Sequence, residues 1–287
     1  YAVKDVSKLN KVAGVLGIET GKKTKEDIAV AVAEKVLSEF GRQEGELSFI
    51  KRAPEARQAL WRQLNVVPRG IDREIVEMMH RTTMGVDQEH QNLMLHASRT
   101  ALADGWGGSM IATDVSDVLF GQPNPIRARV NLGVLKKDEV NLVIHGHEPS
   151  LSEMIVVASR EPEMLAYAAE KGAKGINLAG ICCTANEILM RHGLPVAGNY
   201  LQQELAIITG AVDAMVVDVQ CIMQALADLT SKYHTELVTT SPKAKITGAT
   251  HIEFKEEQAA DKAREILQLA IEAFKKRDPA RVDIPPV

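Results

Sequence analysis

Val140-Asn141-Leu142-Val143-Ile144, Gly175-Ile176-Asn177-Leu178-Ala179-Gly180-Ile181 and Ala214-Met215-Val216-Val217-Asp218-Val219 are three short apolar runs, each too brief for a helix and each flanked by polar or glycine-rich sequence. Runs of this length and composition read as strands buried on both faces. Val196-Ala197-Gly198, Glu236-Leu237-Val238-Thr239-Thr240 and His251-Ile252-Glu253-Phe254 could add further strands. Between them lie segments of helical character near 150–170, 184–192, 200–209, 221–231 and 256–276. Alternation of strand and helix calls for an α/β fold: a Rossmann-like, mostly parallel sheet flanked by helices. The glycine-rich turn G-x-G-x-x-G follows none of the three runs, so dinucleotide binding has no support.

Upstream the period changes. Ile28, Val30, Val32, Val36, Leu37 and Phe40 recur at helical spacing behind a capping pattern from Thr24 to Asp27, and further helix-like segments follow near 53–65, 71–83 and 87–103. Gly121, Pro123 and Pro125 then form a cluster of breakers. The expected organisation is a helical domain over 1–125, read as the C-terminal portion of a larger one, and a Rossmann-like α/β domain over 126–287.

The chain of 287 residues is 45% hydrophobic and 25% charged, which excludes a disordered chain, and its formal charge of -4 argues against nucleic acid and anionic membrane surfaces as partners. No apolar run reaches the roughly 20 residues of a bilayer span. Tyr1 in place of Met suggests that the sequence begins partway along a longer chain. Cysteine occurs three times, as Cys182, Cys183 and Cys221. That is odd in number and too few for a secreted disulfide scaffold, which favours a reducing, cytoplasmic setting.

In open parallel sheets, functional groups collect beyond the carboxyl ends of the strands. The first run ends in His145-Gly146-His147-Glu148-Pro149, the second in Cys182-Cys183-Thr184, the third in Gln220-Cys221. All the thiols and two imidazoles therefore fall on one edge, a soft donor set suited to zinc, copper, nickel or iron–sulfur chemistry. His147, farther beyond its strand, is the better ligand candidate; His145 reads as a hydrogen-bonding residue of the turn. Adjacent residues point in different directions, so one of Cys182 and Cys183 should ligate and the other support. His147, a cysteine of the pair and Cys221 should converge on a common cavity, and further ligands must come from elsewhere, because a cubane needs about four thiolates. His80, His90, His96, His192, His234 and His251 read as surface or helix-packing residues. Two other readings stand beside the metal: a thiol enzyme with Cys183 as nucleophile and His147 as base, and a non-catalytic structural module.

Pro68-Arg69-Gly70-Ile71-Asp72, Ala103-Asp104-Gly105-Trp106-Gly107-Gly108-Ser109-Met110, His145-Gly146-His147-Glu148-Pro149, Gly180-Ile181-Cys182-Cys183-Thr184 and Val217-Asp218-Val219-Gln220-Cys221, in that order, give the chain a resemblance over nearly its whole length. It resembles the middle of the anaerobic nickel–iron–sulfur carbon monoxide dehydrogenases. The resemblance implies reversible oxidation of CO with water to CO2, two protons and two electrons at a nickel–iron–sulfur C-cluster. It implies His147 and Cys183 as ligands of a pendant iron, Cys221 as a ligand of the cubane part, and Cys182 as a neighbouring non-ligand thiol. Asp104 reads either as assisting proton handling or as a helix-terminal cap. The family's cysteine-rich N-terminal segment, which holds further 4Fe-4S clusters across a homodimer, its later C-terminal cysteines and its proton-relay lysine and histidines have no counterpart here. The chain alone is therefore expected to be inactive. Implied partners are the remainder of the parent subunit, an electron carrier such as ferredoxin, and acetyl-CoA synthase. The related hybrid-cluster and hydroxylamine reductase group is the nearest alternative; His145-Gly146-His147-Glu148-Pro149 followed by paired cysteines favours the resemblance to the carbon monoxide dehydrogenases.

Overall fold

A computed structural model describes residues 2–287; Tyr1 lies outside them. The chain divides into two compact units, one up to Gln122 and one from Pro123 to Val287.

The first unit is helical: α1 (Val6–Leu16), α2 (Lys25–Gly41), α3 (Glu55–Gln63), α4 (Ile71–Thr82), α5 (His90–Ala103) and α6 (Met110–Phe120). Local chemistry sets the ends. Thr24 and Asp27 form a reciprocal capping box at the start of α2, and Gly17 closes α1 in the left-handed conformation at φ 73°. Leu9, Val12, Ile28, Val32, Phe49 and Ile50 make one apolar core, against whose edge Trp61 and Trp106 pack edge to face at 5.7 Å. Asp104–Ser109 is a π-helical turn joining α5 to α6. The glycines of Gly105-Trp106-Gly107-Gly108 hide this continuation from a periodicity argument. Gly107 is required there, because a Cβ would lie 2.8 Å from Leu47 and 2.9 Å from Ile71. Asp104 is the C-terminal flanking residue of α5.

The second unit is α/β: β1 (Val140–His145), α7 (Pro149–Ala158), α8 (Pro162–Glu170), β2 (Ile176–Ile181), α9 (Cys182–His192), β3 (Val196–Gly198), α10 (Gln203–Ile208), β4 (Ala214–Val217), α11 (Leu226–Thr230), β5 (Glu236–Thr239), β6 (Thr250–His251) and α12 (Ala259–Phe274). Its six strands form one sheet in the order β3-β2-β1-β4-β5-β6, and every pairing is parallel. This is the strand order of doubly wound nucleotide-binding sheets, with the direction of winding reversing between β1 and β4. β1 is buried at all six positions. Val140, Leu142 and Ile144 join the core built with α7, α8 and α12; Val143 joins the opposite one with Ala206, Met215 and Leu226. A strand covered on both faces has no polar alternation, hence its continuous apolar reading.

Some helical segments differ from the sequence reading. The helix expected over 150–170 is two, because Pro162 cannot continue α7 and its predecessor Glu161 is extended. The helix expected over 221–231 shrinks to α11, and α9 starts two residues earlier than expected, on the cysteines. Among the described residues no helix is long and apolar enough to cross a membrane.

The amino ends of β1 and β4 are held by buried charge. The Asp213 carboxylate, fully buried, pairs with the Arg277 guanidinium, accepts the Asn141 amide at 2.7 Å and meets His234 Nε2 at 2.9 Å. Arg277 also donates to the carbonyls of Lys137 at 2.8 Å and Glu139 at 2.9 Å. His234 is thus a hydrogen-bond partner of this buried ion pair. His192, 2.6 Å from Glu153, is another paired histidine. Removing one member of a buried pair strands the other charge, which costs roughly 3–5 kcal/mol. Arg277→Ala is expected to lower the unfolding free energy by about 3 kcal/mol in chemical denaturation, the low end because His234 remains; a loss below about 1 kcal/mol would contradict this role.

Candidate metal centre

Register brings the donor-bearing turns together. His145 stands opposite Ile181 of β2 and Val217 of β4, and strands lie about 4.8 Å apart. His147 is two residues past its strand end, Cys183 two past Ile181, and Cys221 four past Val217. Cys182 and Cys183 open α9, whose Thr184 amide donates to the Gly146 carbonyl at 3.0 Å. The chain pays in backbone strain: among the described residues four non-glycine residues have positive φ, and three are Cys182 (65°), Gln220 (58°) and Cys221 (42°). Left-handed backbone costs about 1–2 kcal/mol per residue, and its concentration at one strand edge marks a site rather than a packing solution.

Each turn is held by specific bonds. Asp218, buried, accepts the amides of His147 at 2.7 and 3.0 Å and of Glu148 at 2.7 Å, together with its neighbour Val219. This capture of amides by a side chain is where β4 stops being a strand. The Val219 carbonyl is 3.1 Å from His147 Nδ1. A carbonyl only accepts, so Nδ1 carries the proton and Nε2 keeps a lone pair for a metal. The other histidine has a different task. His145 Nε2 donates to the Cys221 carbonyl at 3.1 Å and to Gln203 Oε1 at 3.2 Å, and burial pushes its pKa down, keeping it neutral. Gln203, wholly buried, also donates to the Cys221 carbonyl at 3.1 Å and accepts the Met223 amide at 3.0 Å.

The thiols are crowded. Burial pushes Cys182 up to about 11, with Cys221 and Cys183 adding repulsion. Burial likewise raises Cys183, followed by Cys221 and the carboxylates of Glu187 and Asp218. Neighbouring thiols that resist ionisation together need a cation to hold them as thiolates, so the donor set fits a metal group. The two flanking thiols face different clefts. Cys182 lines a cleft of about 510 Å³ with Asn186, Gly198 and Gln202, whereas Cys221 lines one of about 370 Å³ with Lys245 and Thr247. Nor do His147, Cys183 and Cys221 close on a single ion. Among the described residues the three-donor group compact enough for one is Glu74, Glu77 and His96 in the helical unit. Its carboxylates are held by Arg69 and Arg73, and His96 donates to the Glu74 carbonyl at 3.1 Å. Spacing wider than one ion suits a polynuclear cluster.

Asp218 and Gln203 escaped the sequence reading. Asp218 sits inside a quoted motif, and a carboxylate between an apolar run and a cysteine was the available signal; Gln203 offered none.

The family model described as Prismane/CO dehydrogenase matches residues 1–286. The chain belongs to the Prismane/CO dehydrogenase family. Over 99% of its length it is 58% identical to carbon monoxide dehydrogenase 1 of Methanosarcina mazei, and 46% identical to carbon monoxide dehydrogenase 2 of Carboxydothermus hydrogenoformans. These matches cover 45% and 44% of the relatives, so the chain spans a little under half their length. Among solved structures, a nickel-free carbon monoxide dehydrogenase of Thermococcus sp. AM4 superposes with a TM-score of 0.96 at 51% identity, covering 99% of this chain and 45% of that one. An acetyl-CoA synthase/carbon monoxide dehydrogenase described by NiZn[Fe4S4] and NiNi[Fe4S4] clusters gives 0.95 at 47% identity, covering 100% and 43%.

For this Prismane/CO dehydrogenase family member, the crowded thiols have a direct chemical consequence. In metal-free protein, alkylation of Cys182 followed by peptide mass spectrometry is expected to keep accelerating past the ordinary thiol range of about 8.5, toward about 11. A rate that levels off in the ordinary range would contradict the assigned environment.

Proposed function

We propose that this chain is the central part of the catalytic subunit of an anaerobic carbon monoxide dehydrogenase, which interconverts CO and water with CO2, two protons and two electrons. The observation that carries the proposal is the placement of the turns bearing His147, Cys183 and Cys221 at one sheet edge, with strained backbone at Cys182, Gln220 and Cys221, in a chain 58% identical throughout to a carbon monoxide dehydrogenase. In this reading residues 1–125 end a helical domain and 126–287 form the domain that offers cluster ligands.

His147 Nε2 and Cys183 Sγ would hold the pendant iron of a nickel–iron–sulfur C-cluster, and Cys221 Sγ its cubane part; Cys182 stays a supporting thiol. When bound, the C-cluster supplies a metal that takes the carbon of CO and a metal that makes water nucleophilic at neutral pH. The chain's own residues prepare for this. The Val219 carbonyl fixes the His147 tautomer, and a neutral imidazole leaves an iron more Lewis-acidic than another thiolate would. Cys183 is presented from the first turn of α9. His145 and Gln203 clamp the carbonyl of Cys221, so its sulfur is presented from a fixed backbone.

The remaining ligands and further 4Fe-4S clusters would come from the rest of the subunit, in a cytoplasmic homodimer that passes electrons to a carrier such as ferredoxin. Acetyl-CoA synthase is a candidate partner, since one relative, 49% identical, is the carbon monoxide dehydrogenase/acetyl-CoA synthase subunit beta of Moorella thermoacetica. Raised thiols at Cys182 and Cys183 work against the thiol-enzyme alternative, whose nucleophile needs a lowered pKa.

In the full-length enzyme prepared without oxygen, Cys183→Ala is expected to abolish CO oxidation and reduce iron and nickel content, while Cys182→Ala keeps a recognisable cluster. Equal metal loss in the two variants would contradict the division of labour.

A further inference from the structure

Asp218 is 3% exposed, and its carboxylate is met by peptide amides. Those amides belong to two different turns: His147 and Glu148 follow β1, and Val219 follows β4. β1 and β4 are the neighbouring strands at which the winding of the sheet reverses, so the carboxylate bridges the point where a ligand would sit.

His147 is tied to the β4 turn twice. Its amide goes to Asp218, at 2.7 Å to Oδ1 and 3.0 Å to Oδ2. Its ring Nδ1–H goes to the Val219 carbonyl, one residue further on, at 3.1 Å. One tether fixes the backbone and the other the ring, and together they determine where Nε2 points. The fit is tight. Gly146 has φ 140°, and a Cβ at that position would lie 1.7 Å from Asp218 Oδ1. Glycine at 146 is therefore what lets the carboxylate reach the His147 amide.

We propose that Asp218 is the positioning residue of this metal centre: by gripping the turn after β1 while itself part of the turn after β4, it sets the His147 imidazole and the Cys221 backbone as one unit. This rests on the reading of His147 as a metal ligand. Residues that orient a ligand without touching the metal typically change metal affinity about 10–100-fold when replaced.

The test uses full-length subunit purified anaerobically, with iron and nickel content per folded subunit and the imidazole nitrogen coupling in pulsed EPR of the cluster as readouts. Asp218→Asn keeps the size but turns one acceptor into a donor facing amide protons. Gly146→Ala keeps the carboxylate but pushes it away from the His147 amide. Both are expected to weaken or abolish the nitrogen coupling and to make histidine-bound iron about 10–100-fold easier to chelate, with circular dichroism unchanged. Asp213→Asn, at the opposite end of the strands, is expected to lower the thermal midpoint and leave the coupling intact. Should Asp218→Asn fail to fold, Gly146→Ala decides alone. Parental coupling and chelation kinetics in the folded Asp218→Asn or Gly146→Ala protein would overturn the proposal. His147→Ala separates this from failure of the underlying reading: nitrogen coupling that survives there would show that His147 is not the ligand.

Discussion

The parallel register of β1 between β2 and β4 is the constraint on which the site depends. With His145 opposite Ile181 on one side and Val217 on the other, three turns far apart in sequence must leave the sheet at one level. Burial locks that register. β1 is covered on both faces, so a slip by one residue would exchange Val143 with its neighbours between two separate cores. Buried charge around Asp213 and Arg277 pins the amino ends of the same strands, leaving the carboxyl ends free to carry strained turns.

That strain needs support from nearby. Cys182, Gln220 and Cys221 lie in a backbone region that side chains disfavour, and the Cys221 carbonyl is accordingly held from two directions by His145 and Gln203. Asp218 does the same for the turn after β1. The resulting edge presents a lone pair on imidazole and, at Cys182 and Cys183, thiols in a setting that disfavours the free thiolates. These are properties of a site completed by a multivalent cation, as the proposed cluster would be, and poor ones for a protein nucleophile.

Much of the α/β architecture was legible because strands buried on both faces leave continuous apolar runs, and because each donor follows such a run directly. The all-parallel sheet follows from the alternation of elements. What periodicity missed has local causes. Glycines concealed the π turn after α5, and Pro162 divided one helical stretch into two. The last part of the third run looked like strand by composition, yet Asp218 diverts the amides needed to continue the ladder. Cys183 and Cys221 were visible as donors, whereas the clamps were not: Gln203 is 18 positions from the carbonyl it holds, and no local pattern encodes that distance. Nor did sequence indicate that Cys182 and Cys221 would open into different clefts.

The central claim is that this strand edge ligates a nickel–iron–sulfur group. Anomalous diffraction at the iron and nickel absorption edges, on crystals of the full-length protein grown without oxygen, tests it most directly. The account predicts iron bonded to His147 Nε2 and Cys183 Sγ and to Cys221 Sγ, with nickel in the same cluster and Cys182 unbound. Iron and nickel found only elsewhere in the subunit, with these three side chains unligated, would contradict it.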